Sequence, residues 1–382
     1  MKTKPLHSNP FVFGKVVKNQ QFINRHNERL ELAGEIENHT NIILYAPRRY
    51  GKTSLVLQTF SDLQKKYKNK FAGLAVDFYR IHSKEKFIVA LAREYAANSG
   101  FTIEKALTFF KNSLRGVTPS VSLDHLGNPK FEITLTSSSA EAALEDILAL
   151  PQKLAQSGKL TAVLFDEFQE ITALNGNDFQ KELRSIIQHH HLVSYIFSGS
   201  KFHLFQAIFN RQTNPLYNIG KSKHLDIIPE KDFIPYISRR LRKINKTFNT
   251  KNVSTILQLT KNVPYYVQML AHEVYNLALL NPQQDARQLI ELASENIISD
   301  KNDEFLIVYE NLSLSSKRVL DMVLKTDGVA LFRKELLTQY QIAASTLKKA
   351  LKDLTEKGLL KKEKSHYAFQ DVFFEEWLKK FL

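Results

Sequence analysis

Apolar positions along this chain follow two alternating rhythms. Short runs of apolar and β-branched residues stand at Ile42–Tyr45, Phe71–Phe78, Thr161–Asp166, Val193–Ser198 and His224–Ile228. Between most of them apolar residues recur every three or four positions, as at Leu55, Val56, Phe60, Leu63 and Tyr67. Brief continuous runs read as strands buried on both faces, and the longer period reads as amphipathic helix. Their alternation predicts a doubly wound α/β core with a parallel sheet, preceded by a helix over Asn24–Asn38. Residues 112–138 interrupt the rhythm. Val121–Leu135 there reads as a β-hairpin turning at Leu126–Pro129, an insertion projecting from the core.

From Pro229 the pattern becomes wholly helical. Phe233, Ile237, Leu241 and Ile244 form one stripe, and further helices are predicted over 251–260, 264–281 and 285–299, with Asn281-Pro282 as a breaker. After about residue 305 the pattern predicts helices over 314–326 and 332–341, then a helix Ser345–Lys357. Two short strands follow, Leu359–Lys362 and Tyr367–Phe369, and a last helix carries Phe373, Phe374, Trp377 and Leu378. Three helices and a hairpin in that order describe a winged helix-turn-helix. The expected organisation is a core over 1–228, a helical lid over 229–305 and a winged helix over 306–382.

Composition narrows the chemistry. The 382 residues include no cysteine, which removes disulfides, cysteine-ligated zinc and thiol nucleophiles together. No window is apolar enough to span a bilayer, and residues 1–20 are too polar and basic for a secretory signal, so the expectation is a cytoplasmic chain without a membrane partner. A formal charge of +14 suits an acidic partner, whether nucleic acid, nucleotide or an anionic surface; it equally suits plain solubility in a lysine-rich proteome.

The first strand leads into Ala46-Pro47-Arg48-Arg49-Tyr50-Gly51-Lys52-Thr53-Ser54, and a helix follows at once. Strand, loop, helix in this order make a phosphate site. Backbone N–H groups and the helix dipole attract an anion, Lys52 reaches the β- and γ-phosphates, and the Thr53 hydroxyl ligates Mg²⁺. Gly51 leaves room for the backbone to approach the phosphates. A phosphate loop needs an acid on a neighbouring strand, and Ala162-Val163-Leu164-Phe165-Asp166-Glu167 supplies it. Asp166, at the strand's carboxyl end, holds Mg²⁺ through water, and Glu167 polarises the attacking water. A third strand ends in Ser198-Gly199-Ser200, so Ser198 or Ser200 can reach the γ-phosphate or the water, with Gly199 making a tight turn. Arg48 and Arg49 either bind phosphate or pair with acids of a neighbouring strand, and Arg211 is a candidate γ-phosphate finger. His189–His191 read as surface or helix-end residues rather than as a metal site.

These motifs together resemble the prokaryotic STAND-type AAA+ ATPases, often called archaeal ATPases, over nearly the whole chain. Asn9-Pro10-Phe11 with Phe22, Arg25 and Glu28 is similar to that family's amino-terminal motif, which the resemblance places near adenine. Asp77 is similar to its second-strand aspartate, Asp166-Glu167-Phe168-Gln169 to its Walker B, and Asn214-Pro215-Leu216-Tyr217 to an element of the same sequence. Asn262-Val263-Pro264 resembles its lid motif, whose proline approaches the base. Three positions depart from the pattern: Ala46 and Asn262 replace glycines, and Lys221 is the nearest cation where an arginine is usual. The resemblance implies ATP and Mg²⁺ as ligands and a nucleotide-controlled switch, or alternatively a DNA-acting initiator-type ATPase.

The helix Ser345–Lys357 buries Leu347, Ala350, Leu351 and Leu354 and shows Lys348, Lys349 and Lys352, with Lys361, Lys362 and Lys364 on the wing. Residues 311–382 carry 14 Lys and Arg against nine Asp and Glu, only slightly more basic than the whole. Duplex DNA through phosphate contacts and a protein, homo-oligomeric or intramolecular contact are both open partners for this segment.

Overall fold

A computed structural model describes residues 9–123, 129–135, 140–174, 177–363 and 365–381. The chain divides into two compact units. One is Gly14–Ile228; the other joins the segment up to Phe13 with Pro229–Leu382.

In the first unit, α1 (His26–Glu37), β1 (Ile42–Tyr45), α2 (Lys52–Tyr67), β2 (Phe71–Asp77), α3 (Lys84–Ser99) and α4 (Ile103–Ser113) precede a hairpin of β3 (Val117–Leu123) and β4 (Pro129–Leu135). Next come α5 (Ala140–Gln156), β5 (Leu160–Asp166), α6 (Asn177–Ile187), β6 (Val193–Gly199), α7 (Phe202–Phe209) and β7 (Lys221–His224). Five parallel strands pair in the order β2-β5-β6-β1-β7. The α/β reading of the sequence therefore holds. β6 is buried along its whole length and β5 in all but its first residue, as continuous apolar runs require of inner strands.

The last strand is displaced from its sequence expectation. His224–Ile228 is the more apolar run, yet Lys221–His224 pairs with β1, because an edge strand needs only its backbone to join the ladder. Leu225 and Ile228 are buried beyond it, and Leu225 N–H donates to the Tyr45 carbonyl at 2.8 Å. The hairpin is antiparallel and begins earlier than its most alternating stretch, with Val117 opposite Leu135. Phe131 and Ile133 turn inward while Val121 and Leu123 are exposed. The tip of its turn, through residue 128, lies outside the described residues, as does Lys364 of the wing.

Phenylalanines fill the layer behind the carboxyl ends of β5 and β6. Phe168 is fully buried and meets Phe78, Phe197 and Phe209 with ring centroids 5.1, 4.8 and 5.7 Å away. The first two are edge-to-face and the third is stacked, and such aromatic pairs add to area burial. They pin the short 3₁₀ turn Phe168–Ala173 directly after Asp166 and Glu167.

The second unit contains α8 (Glu230–Leu241), α9 (Thr250–Leu259), α10 (Pro264–Leu280), α11 (Ala286–Asp300) and α12 (Asn302–Glu310), the last additional to the helices read from the pattern. It continues with α13 (Leu314–Thr326), α14 (Lys334–Gln339), α15 (Ala344–Glu356), the antiparallel wing β8 (Leu360–Glu363) and β9 (His366–Phe369), and α16 (Val372–Phe381). This is the winged helix the sequence predicts. It is joined to the preceding helices: Lys261 pairs with Glu375 at 2.5 Å, Tyr266 O–H donates to the Gln370 carbonyl, and Trp377 Nε1–H donates to Asn302. Asn9 donates to the His272 carbonyl and to Asn276, and Phe11 is buried between Tyr236 and Tyr275. Among the described residues no helix is long and apolar enough to cross a membrane.

The histidine triplet is structural at its centre. His190 Nδ1 lies 2.7 Å from the Tyr195 hydroxyl, and burial, reinforced by His189 and His191, pulls its pKa down to about 4. The unfolded chain thus binds a proton that the folded chain refuses between about pH 6.5 and 4. Its contribution to stability is full above about pH 6.5 and is lost as pH falls toward 4. Urea midpoints of His190→Gln should fall less steeply over that window than those of the natural chain; parallel profiles would refute the assignment.

Candidate functional site

Gly51 caps α2 with φ +85°, a conformation that strains any residue with a Cβ. A Cβ built there meets nothing within 4 Å, so the backbone angle is the constraint, not crowding. Arg49 also has positive φ, and Arg48 is exposed. The N-terminus of α2 has no side-chain cap and no acid in its first turn, leaving its N–H groups and dipole open to an anion. Leu55, Val56, Phe60 and Leu63 bury the opposite face and fix the helix on the sheet.

Lys52 is buried. Its Nζ donates to the Ala46 carbonyl at 3.1 Å and stands 3.8 Å from Glu167 Oε1. Burial pulls the ammonium below its ordinary pKa, while Glu167 and Asp166 oppose that pull. Thr53 Oγ1–H donates to Asp166 Oδ2 at 2.5 Å. Ser198 Oγ–H donates to Asp166 Oδ1, the oxygen that also accepts the Glu167 N–H at 3.1 Å. Glu167 Oε2 accepts from both Ser200 Oγ and Gln169 Nε2 at 2.6 Å. Burial raises the Glu167 pKa, but Lys52, Ser200, Gln169 and Arg48 outweigh it and hold the carboxyl below the usual range. Glu167 itself has a left-handed backbone, φ +46° and ψ +42°.

Phosphate loop, second-strand acid and third-strand serines thus meet at one rim of the sheet. Ser198 reaches the acid beside Thr53, and Ser200 reaches Glu167. Gln169 is the group that reasoning from spacing passed over. It is fully buried, grips Glu167 with its Nε2, and accepts the Ser200 N–H at 3.3 Å with its Oε1. Its signal was present as the fourth residue of Asp-Glu-Phe-Gln. Asp77 ends β2 opposite Asp166 in register, and burial raises its pKa.

Other expected residues lie elsewhere. Ser54 Oγ accepts the Val17 N–H at 3.2 Å, tying the leading segment to α2. Arg25 is buried and donates to Glu28 and to the carbonyls of Tyr50 and Asp226, so it braces the loop through Tyr50. Phe22 lies 5.8 Å beneath the Arg29 guanidinium, and Pro47 is half-buried. Arg211 is exposed after α7, and Asn214 holds Gln180. Lys221 pairs with Glu35 and sits opposite Ile42, at the amino end of the parallel sheet, so it is no substitute for an arginine at the phosphate rim. Pro264 opens α10 in the second unit, after Asn262 with φ +56°; asparagine tolerates the left-handed angle that a glycine would otherwise supply.

Gly199 corrects a second expectation. It is the final residue of β6 and not a turn. A Cβ there would fall 2.3 Å from the Phe205 ring and 2.6 Å from Gln169 Oε1. Close packing, not backbone freedom, demands glycine.

Comparison with known proteins agrees with this architecture. A family model described as "Probable winged helix domain" matches residues 289–380. The chain is similar in structure to a Walker-type ATPase of Pyrococcus abyssi, with TM-score 0.66, 18% identity, and 97% of this chain and 99% of that one covered. It is also similar to the ORC2 protein of Aeropyrum pernix in its ADPNP–ADP complexes, with TM-score 0.56, 15% identity, and 95% and 96% covered. At such identities the likeness establishes the fold: a parallel-sheet P-loop ATPase fold with a carboxyl-terminal winged helix. No curated protein matches the sequence.

Gly199→Ala should lower stability by roughly 1–3 kcal/mol through overpacking, read as a reduced urea midpoint. An unchanged midpoint would mean that Phe205 and Gln169 yield freely.

Proposed function

We propose that this chain is an ATP-binding and ATP-hydrolysing switch of the STAND type, whose nucleotide state controls the winged helix. One observation carries the reading: Lys52, Thr53, Asp166 and Glu167 converge at the carboxyl edge of one parallel sheet, beside an uncapped helix N-terminus.

The residues fit the ligands. A buried ammonium and free helix N–H groups suit phosphates. Thr53 Oγ1 and Asp166 Oδ2 are hard oxygen donors close enough to share one Mg²⁺, an ion that keeps several waters and few protein ligands. Mg²⁺, when bound, neutralises charge developing on the phosphates. Lys52 then stabilises the β- and γ-phosphates, with Pro47, Arg48, Arg49, Tyr50, Gly51 and Ser54 shaping the loop around them. Ser198 orients Asp166. Gln169 and Ser200 hold Glu167 Oε2, while Oε1, which faces Lys52 Nζ, would accept a proton from the attacking water. Phe22, Arg25 and Pro264 are assigned to the adenine side on the strength of the family resemblance.

The switch acts only if nucleotide favours one conformer over another. A second reading, a DNA-acting initiator-type ATPase, draws on the winged-helix match and on exposed Lys348 and Lys349 of α15. Hydrolysis stimulated by duplex DNA favours it; hydrolysis indifferent to DNA, with self-association on ATP, favours the switch.

Lys52→Ala should abolish Mg·ATP uptake in calorimetry. Glu167→Gln should retain uptake and lower kcat by about 10²–10⁴-fold, the usual worth of a general base. Normal turnover by Glu167→Gln would remove the proposed base, and no nucleotide uptake by the natural chain would remove the function.

A further inference from the structure

The chain's positive charge is unevenly distributed. Residues 233–272 contain seven Lys and Arg and no Asp or Glu, half of the formal surplus of +14 in a tenth of the sequence. The stretch runs from the second turn of α8 through α9 to the start of α10, outside the winged helix; the acids of α8, Glu230 and Asp232, lie in its first turn, at the end away from the cations.

The fold turns most of these cations to one side. Phe233, Ile237, Leu241, Asn245 and Phe248 are buried. The helical path continues past α8, with Arg242 N–H donating to the Ser238 carbonyl and Asn245 N–H to Leu241. Arg239, Arg242 and Lys243 therefore lie at three- and four-residue spacing on the exposed side, and Lys246 is exposed in the turn that follows. Lys251 is exposed in the first turn of α9. Among the described residues Arg239, Arg242, Lys243, Lys246 and Lys251 form no ion pair with a carboxylate. Arg242 uses Nε on the Phe248 carbonyl, and its side chain is exposed. Asp285, next to the Gln284 whose carbonyl Asn245 holds, is committed to capping α11 through the N–H groups of Arg287 and Gln288.

We propose that this ridge, Arg239-Arg242-Lys243-Lys246 with Lys251, is a binding surface for the phosphate backbone of a nucleic acid. A row of unneutralised cations at close spacing matches a polymer bearing regular negative charges, and counterion release drives such binding. Two guanidinium forks among them suit phosphate oxygens. Contacts to phosphate oxygens carry no base information, so the binding is independent of sequence. This goes beyond the nucleotide reading and is measurable without nucleotide, so the two fail separately.

The test is fluorescence anisotropy of the full chain with a duplex of arbitrary sequence, without ATP, over a salt series. The triple variant Arg239→Ala/Lys243→Ala/Lys246→Ala should lose about tenfold or more in affinity at low salt, and its log–log salt slope should be shallower by roughly 2.7, three contacts at about 0.9 each. The matching triple in α15, Lys348→Ala/Lys349→Ala/Lys352→Ala, should change both less. The charge-reversed Arg239→Glu/Lys243→Glu/Lys246→Glu should bind more weakly still; thermal melting confirms that each variant is folded. Unchanged affinity and slope in the α8 variants would overturn the assignment. So would binding of the natural chain to phosphatidylserine vesicles but not to the duplex.

Discussion

A buried ammonium governs the architecture of the first unit. Lys52 lies at the end of a loop where water cannot solvate it, and an unopposed charge at such depth costs several kcal/mol. The fold opposes it with the Ala46 carbonyl and with Glu167, the latter brought from β5, a strand that does not touch β1. Only a sheet whose strands all run the same way can deliver the carboxyl ends of β1, β5 and β6 to one rim. The intervening strand fills the gap with Ser198, which reaches Asp166, and Ser200, two residues on, reaches Glu167. The same requirement explains why phenylalanines wedge the turn after Glu167. A positive-φ glutamate needs rigid neighbours to stay where it is.

Much of this was legible from sequence because the chemistry sits in short fixed motifs. Gly51-Lys52-Thr53 and Asp166-Glu167 declare themselves by residue type next to apolar runs, and strand ends fix where they emerge. The winged helix was legible for a similar reason: α13 matches its predicted span, and the wing strands differ by a residue at their starts. Contacts between distant segments were not legible. The role of Gln169 depends on where Ser200 falls, 31 positions later. Gly199 was expected to turn and instead yields space to Phe205, which only packing can reveal. Lys221 was only the nearest cation in sequence where an arginine is usual, and the register of β7 sets it against Ile42 at the far end of the sheet. β7 itself was misplaced because edge pairing is a backbone matter, and hydropathy marks burial rather than pairing.

Charge in the second unit shows why a count of lysines is a poor guide to a binding face. The winged helix has a surplus of cations, yet several are answered locally. Lys357 pairs with Asp353 at 2.8 Å, Lys361 with Glu363 at 2.5 Å, and Lys352 lies 3.7 Å from Glu356. Pairs of this kind are individually weak, but each nearly cancels its own field beyond a Debye length of about 8 Å at physiological salt. Past the first turn of α8, which holds Glu230 and Asp232, no acid follows until Glu273. The unneutralised cations of the ridge therefore add to Lys348 and Lys349 of α15 in the field that steers a polyanion toward this unit, whereas the paired lysines of the wing contribute little.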